Sequence, residues 1–163
     1  MLRIVVDTNL WIRALLGGRV TLPVLEAWQS GLVRVVVSEA LMAELDAVWQ
    51  RPRLRARIDP TDAEHLLEQL RLRGEMVEVV TVPPRCRDSE DDPVLATAID
   101  GRVHAIVTGD ADLRADDELR TAMAEYGVAF WGVDTLLKRL RSQSARGLSR
   151  PTASRAESVS HAD

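Results

Sequence analysis

The sequence predicts an α/β fold: a parallel sheet covered by helices on both faces. Short apolar runs rich in β-branched residues recur through residues 1–140, as buried parallel strands require. Amphipathic stretches alternate with them. The chain has 163 residues and is 46% hydrophobic, which suits one domain with a real core and excludes a wholly disordered chain.

The expected strands are Ile4-Val5-Val6, Val33 to Val37, Val77 to Val80, Ala105-Ile106-Val107 and Val128 to Trp131. A first helix over Asn9–Leu16 opens after Asp7-Thr8 and stops at Gly17-Gly18. A second spans Pro23–Gln29. A third runs from Ser38, a natural N-cap, to Gln50. Thr61-Asp62-Ala63-Glu64 has the pattern of a capping box and opens a helix that ends at Arg73-Gly74. Pro93 at a first helical position starts a short helix to Asp100. Asp116–Glu125 and Thr135–Arg141 complete the set. From Ser142 the pattern fails, so the expected organisation is a domain over 1–141 and a flexible tail over 142–163.

No apolar run reaches the roughly 18 residues of a membrane span, and Met1 to Asp7 meets an acid too early for a signal peptide. The single cysteine, Cys86, allows neither an internal disulfide nor a cysteine-based zinc site. The cytoplasm is the expected compartment and no membrane partner is expected. The formal net charge of −4 alone argues against nucleic acid as a partner. Its distribution argues otherwise. Lys138 is the only lysine among 21 basic residues, and Arg51, Arg53, Arg55 and Arg57 crowd one segment, able to contact RNA phosphates, meet an acidic partner or simply face solvent.

The acids have positions that matter. Asp7 follows the first strand directly, and Asp110 follows the fourth across Thr108-Gly109. Both fall at carboxyl ends of strands, where open α/β sheets place their ligand sites. A helix cap for Asp7 and a turn for Asp110 are the ordinary alternatives. Glu44 falls on the flank of the apolar stripe Leu41, Leu45, Val48 and Trp49. A carboxylate there needs a cation, either an arginine or a metal. Asp92 is a natural N-cap, yet Asp88, Glu90 and Asp91 crowd the same helix start. Such mutual repulsion is relieved by a divalent cation, and carboxylate oxygens suit Mg²⁺ or Mn²⁺. An acidic metal pocket at a sheet edge suits phosphodiester hydrolysis.

Four segments in order then resemble one family. They are Val5-Val6-Asp7-Thr8-Asn9, Ser38 to Leu45, Arg87 to Ala96 and Val107 to Leu113. Together they resemble the PIN domain, the ribonuclease fold of VapC-type toxins of toxin–antitoxin systems, over about residues 3–140. The resemblance implies a three-layer fold whose central, mostly parallel five-stranded sheet has strand order 3-2-1-4-5. It implies cleavage of RNA with Mg²⁺ or Mn²⁺ held by Asp7, Glu44, Asp92 and Asp110. Asp112 would be an auxiliary ligand or orient a water. Asp91 competes with Asp92, which fits the family's helix start better. Thr8, Asn9 and Thr108 would hydrogen-bond the carboxylates. Homodimers and an inhibitory antitoxin protein are the implied partners. Arg13 stands where relatives often carry a small residue, either touching RNA and the site or lying on the surface.

Two phosphate-handling folds that also use an acidic pocket are disfavoured. A haloacid-dehalogenase-type phosphatase needs an acid where Asn9 stands and a catalytic lysine. A receiver domain needs a lysine after a late strand. The remaining alternatives are a PIN-fold module that binds RNA or protein without cleaving, and a stand-alone RNA-processing nuclease. Trp11, Trp28, Trp49 and Trp131 are expected in the core or a dimer interface.

Overall fold

The structure, a computed structural model, describes residues 1–84 and 92–148. Cys86, Asp88, Glu90, Asp91 and the stretch from 149 onward lie outside the described residues. Five parallel strands form one sheet: β1 (Leu2–Val6), β2 (Val33–Val37), β3 (Glu75–Met76), β4 (Ala105–Val107) and β5 (Ala129–Trp131). Their order is β3-β2-β1-β4-β5 and every pairing is parallel, which meets the expected α/β architecture.

Nine helices connect and cover the strands among the described residues: α1 (Thr8–Leu15), α2 (Leu22–Gln29), α3 (Glu39–Trp49), α4 (Pro52–Arg55), α5 (Pro60–Arg73), α6 (Asp92–Asp100), α7 (Ala111–Ala115), α8 (Asp117–Ala124) and α9 (Val133–Leu148). The three layers follow from the two-residue period of the strands. Ile4, Val6, Val35, Val37 and Val107 face one side and pack with α1, α2, α3, α5 and α9. Val5, Val36 and Ile106 face the other and pack with α6, α7 and α8. Trp11, Trp28 and Trp49 are buried in the first layer, the first two with ring centroids 5.7 Å apart. Trp131 is half-buried, with the Arg139 guanidinium 5.3 Å above its ring.

Several elements depart from expectation for local physical reasons. Residues 77–80 are not a strand. The Val77 amide still donates to Val37 O at 2.9 Å, but the Val80 and Thr81 amides then turn to the Asp100 carboxylate at the end of α6. The Thr81 hydroxyl, with those amide bonds behind it, holds the Asp100 pKa below its ordinary value. The cap of α5 is Asp59, which accepts from the Thr61 amide at 2.8 Å, and the capping box expected at Thr61 does not set the start. Asp-Pro outcompetes it because Pro60 at the first helical position has its φ already set. α4 and α7 are short helices absent from the expected set. α9 continues past residue 141 to Leu148, so the expected domain boundary falls inside a helix.

The sheet fixes where the loops meet. The strands run in parallel, so Asp7, Ser38, Thr108 and Gly132 all leave from one edge. Ser38 caps α3, accepting from the Leu41 amide at 3.2 Å. Its hydroxyl also lies 2.7 Å from that of Thr97, which donates to Pro93 O at 2.6 Å. This buried pair ties the first turns of α6 to the carboxyl end of β2. Ser38→Ala removes the cap and half of the pair, and is expected to cost about 1–2 kcal/mol. Urea unfolding checks this; a midpoint equal to wild type with an unchanged slope would contradict it.

Candidate active site

Asp7 stands at the end of the central strand, where its backbone amide donates to Val107 O at 2.9 Å. It occupies the N-cap position of α1 without a capping hydrogen bond of good geometry, although the first-turn amides of Thr8 and Asn9 act on its carboxyl. Its side chain is only 4% exposed. Thr108, fully buried, donates its hydroxyl to Asp7 Oδ2 at 2.8 Å and accepts the Asp110 amide at 3.0 Å. One threonine thus joins the two acids that follow adjacent strands.

The Asp7 carboxyl is held above its ordinary pKa of 3.8. Burial is the main cause, and the nearby Asp110 charge adds to it. The Thr108 hydroxyl and the backbone amides of Asn9 and Thr8 work the other way. Burial and a neighbouring like charge thus both disfavour the ionised form here, a combination that functional sites often show.

Asp110 is exposed and is itself the N-cap of α7. Its Oδ1 accepts from the Asp112 and Leu113 amides at 2.9 and 3.3 Å, so the turn reading is correct as far as that oxygen goes. Glu44 is half-buried on α3, and Thr8 donates its hydroxyl to Glu44 Oε2 at 3.2 Å. Asp7 and Glu44 are therefore linked through consecutive residues of one chain turn.

Asp92 is the first residue of α6 rather than its N-cap, and it is half-buried. The Ser38–Thr97 tie sets this helix start at the same sheet edge as Asp7. Asp112 is exposed. Asn9 is exposed too and acts on Asp7 through its backbone, not its side chain. Among the described residues, no group of three or more acidic, histidine or cysteine side chains is close enough to hold a metal ion. The structure thus unites Asp7 with Asp110 through Thr108, and places Glu44 and Asp92 on neighbouring elements.

Arg51, Arg53, Arg55 and Arg57 are exposed on and around α4, at the far end of α3 from Ser38. Arg13 is exposed on α1, and its guanidinium reaches Gly109 beside Asp110. Arg114 on α7 reaches Gly132 at the end of β5, a neighbour the sequence analysis missed. No short-range pattern links residues 114 and 132; only Gly132 directly follows a strand, while Arg114 lies on α7.

The raised Asp7 pKa has a thermodynamic consequence. The unfolded chain loses this proton near 3.8, while the folded chain keeps it to higher pH. Between those values the native state binds more protons, so rising pH lowers stability, and above the folded pKa the whole penalty is present. Asp7→Asn keeps an oxygen for Thr108 and removes the charge. Without divalent metal it is expected to unfold at higher denaturant than wild type at pH 7, with the gap closing as pH falls below 3.8. Paired unfolding curves across pH check this; a gap that is constant or widens toward acid would refute it.

A family model described as the PIN domain matches residues 3–112. Comparisons with curated proteins and with solved structures gave no match. The matched span contains β1 to β4, Asp7, Glu44, Asp92, Thr108 and Asp110. With the parallel five-stranded sheet and the joined acids at its carboxyl edge, it shows that this chain belongs to the PIN domain family.

Proposed function

We propose that this PIN domain is a metal-dependent endoribonuclease, acting as the toxin component of a type II toxin–antitoxin system. PIN domains are generally nucleases and typically use divalent metal ions. The observation that carries the reading is Asp7: a buried carboxylate, disfavoured by burial and by Asp110, joined to that second acid through Thr108. This donor chemistry fits a hard cation. Asp7 and Asp110 would supply carboxylate oxygens only, and a bound cation would offset their mutual repulsion and favour the ionised form of Asp7.

Mg²⁺ or Mn²⁺ would be held by Asp7, Asp110, Glu44 and Asp92, with Asp112 as an auxiliary ligand. When bound, such an ion lowers the pKa of a ligated water and stabilises charge on phosphoryl oxygens. The chain's own work is positional. Thr108 fixes the rotamer of Asp7 and the backbone of Asp110, Thr8 orients Glu44, and the Ser38–Thr97 pair holds the start of α6 toward the site. The homodimer and the inhibitory antitoxin protein belong to the same reading and rest on the four-segment resemblance. A short upstream reading frame encoding a DNA-binding protein, if found, would support the toxin role over a stand-alone RNA-processing nuclease.

Cleavage of single-stranded RNA in Mn²⁺, measured for wild type and Asp7→Asn, tests the reading. The substitution is expected to lower the rate by at least about 100-fold. Activity that survives it belongs to a contaminant and sinks the nuclease assignment. RNA binding without cleavage in saturating Mn²⁺ would make the chain a non-cleaving binding module. Saturating Mn²⁺ is also expected to raise the melting temperature of wild type and not of Asp7→Asn; equal melting curves with and without the ion would speak against a formed site.

A further inference from the structure

Two guanidinium groups sit on two glycines at the carboxyl edge of the sheet. A Cβ placed on Gly109 would stand 2.7 Å from Arg13 Nη1 and 3.3 Å from its Cζ. A Cβ placed on Gly132 would stand 2.7 Å from Arg114 Nη1 and 3.4 Å from its Cζ. Each glycine is a seat for a guanidinium, and a side chain there would push the flexible arginine end aside. The Thr108 amide donates to Trp131 O at 2.9 Å, and each glycine follows one partner of that last rung. Adjacent strands are about 4.8 Å apart, so the two seats are near neighbours. Asp110 comes directly after one of them, and α7, which carries Arg114, starts from Asp110.

Neither guanidinium has an ion pair or hydrogen bond among the described residues. Arg114 Nε is buried and without a partner there. A guanidinium stays charged at any working pH, and its planar fork matches an anionic oxygen pair. Two such forks beside a pair of acids suit a ligand that brings its own negative charge at regular intervals.

We infer that Arg13 and Arg114 form a two-armed clamp for successive phosphates of an RNA strand laid across the ends of β4 and β5. This rests on the nuclease reading above and names how that site would hold its substrate. The glycines let the guanidiniums lie on bare backbone at the ends of β4 and β5.

The test measures binding of a single-stranded RNA oligonucleotide by anisotropy over a salt series, in the cleavage-deficient Asp7→Asn background. Arg13→Gln and Arg114→Gln are each expected to weaken binding about tenfold. Each is also expected to reduce the salt slope by about 0.7, the value for one phosphate on a single strand. Arg13→Lys and Arg114→Lys keep the slope, which separates lost charge from a folding defect. Arg120→Gln, at an exposed arginine already paired with Asp117, is the control. Gln variants that bind with wild-type affinity and slope overturn the clamp, as does an equal loss in Arg120→Gln. If the otherwise wild-type chain cleaves RNA in Mn²⁺ while the Gln variants bind normally, the clamp alone fails. If that chain does not cleave while the Gln variants lose affinity and slope, the nuclease reading fails and the clamp stands.

Discussion

The site depends on keeping the Asp7 carboxylate inside the protein. At the end of a central strand it has lost most of its water, and an isolated buried charge is among the costliest groups a fold can carry. What makes the position tenable is rigidity on both sides. β1 is paired to β2 and β4 and is covered by both helical layers, so the carboxylate cannot swing out without disturbing Ile4, Val5 and Val6, all essentially buried. Thr108, projecting from the next strand, supplies one charge-assisted hydrogen bond and holds the backbone of Asp110 with the same oxygen. The threonine therefore couples the strand ends as well as the acids. Loss of that hydroxyl would free two elements at once.

The same dependence explains which features were legible in the sequence. β1, β2 and β4 announce themselves because the buried residues of a doubly covered strand are apolar and favour β-branching, with Arg3 and Arg34 the exceptions. Asp7 is legible for the converse reason: an acid directly behind such a run lies at the sheet edge whatever the rest of the chain does. Val77 to Val80 carries a similar local signal and fails, because Asp100, twenty residues further on, captures the Val80 and Thr81 amides. The end of α9 was hidden by composition. Ser and Gly past residue 141 suggest a tail, whereas Arg, Gln and Ala there are good helix formers carried by a helix already anchored at Val133, Leu136 and Leu140.

Within the site, the residues that carry charge could be seen in advance, and the contacts that organise them could not. Thr108 was expected to hydrogen-bond a carboxylate, but its double role appears only once β4 lies beside β1. The Ser38–Thr97 pair joins positions far apart in sequence, and each has a complete local explanation, one as a cap and the other as a helical threonine bonded to its own turn. Asn9 shows the opposite error: a polar side chain in a suggestive triplet turns outward, and its backbone amide does the electrostatic work.

Net charge is a poor guide to partners when the two signs occupy different depths. A total of −4 counts the buried Asp7 and the half-buried Glu44 and Asp92 on the same footing as exposed arginines. A polyanion approaching the carboxyl edge meets them unequally. Arg13 is exposed there together with Asp110 and Asp112, while Asp7 and Glu44 are held by Thr108 and Thr8 deeper in the fold. Field strength at a surface follows the charges nearest to it and falls off over about 8–10 Å at working salt. The relevant quantity is therefore the sign of the outermost layer at the site, where the exposed Arg13 at the seat of Gly109 stands beside the exposed Asp110.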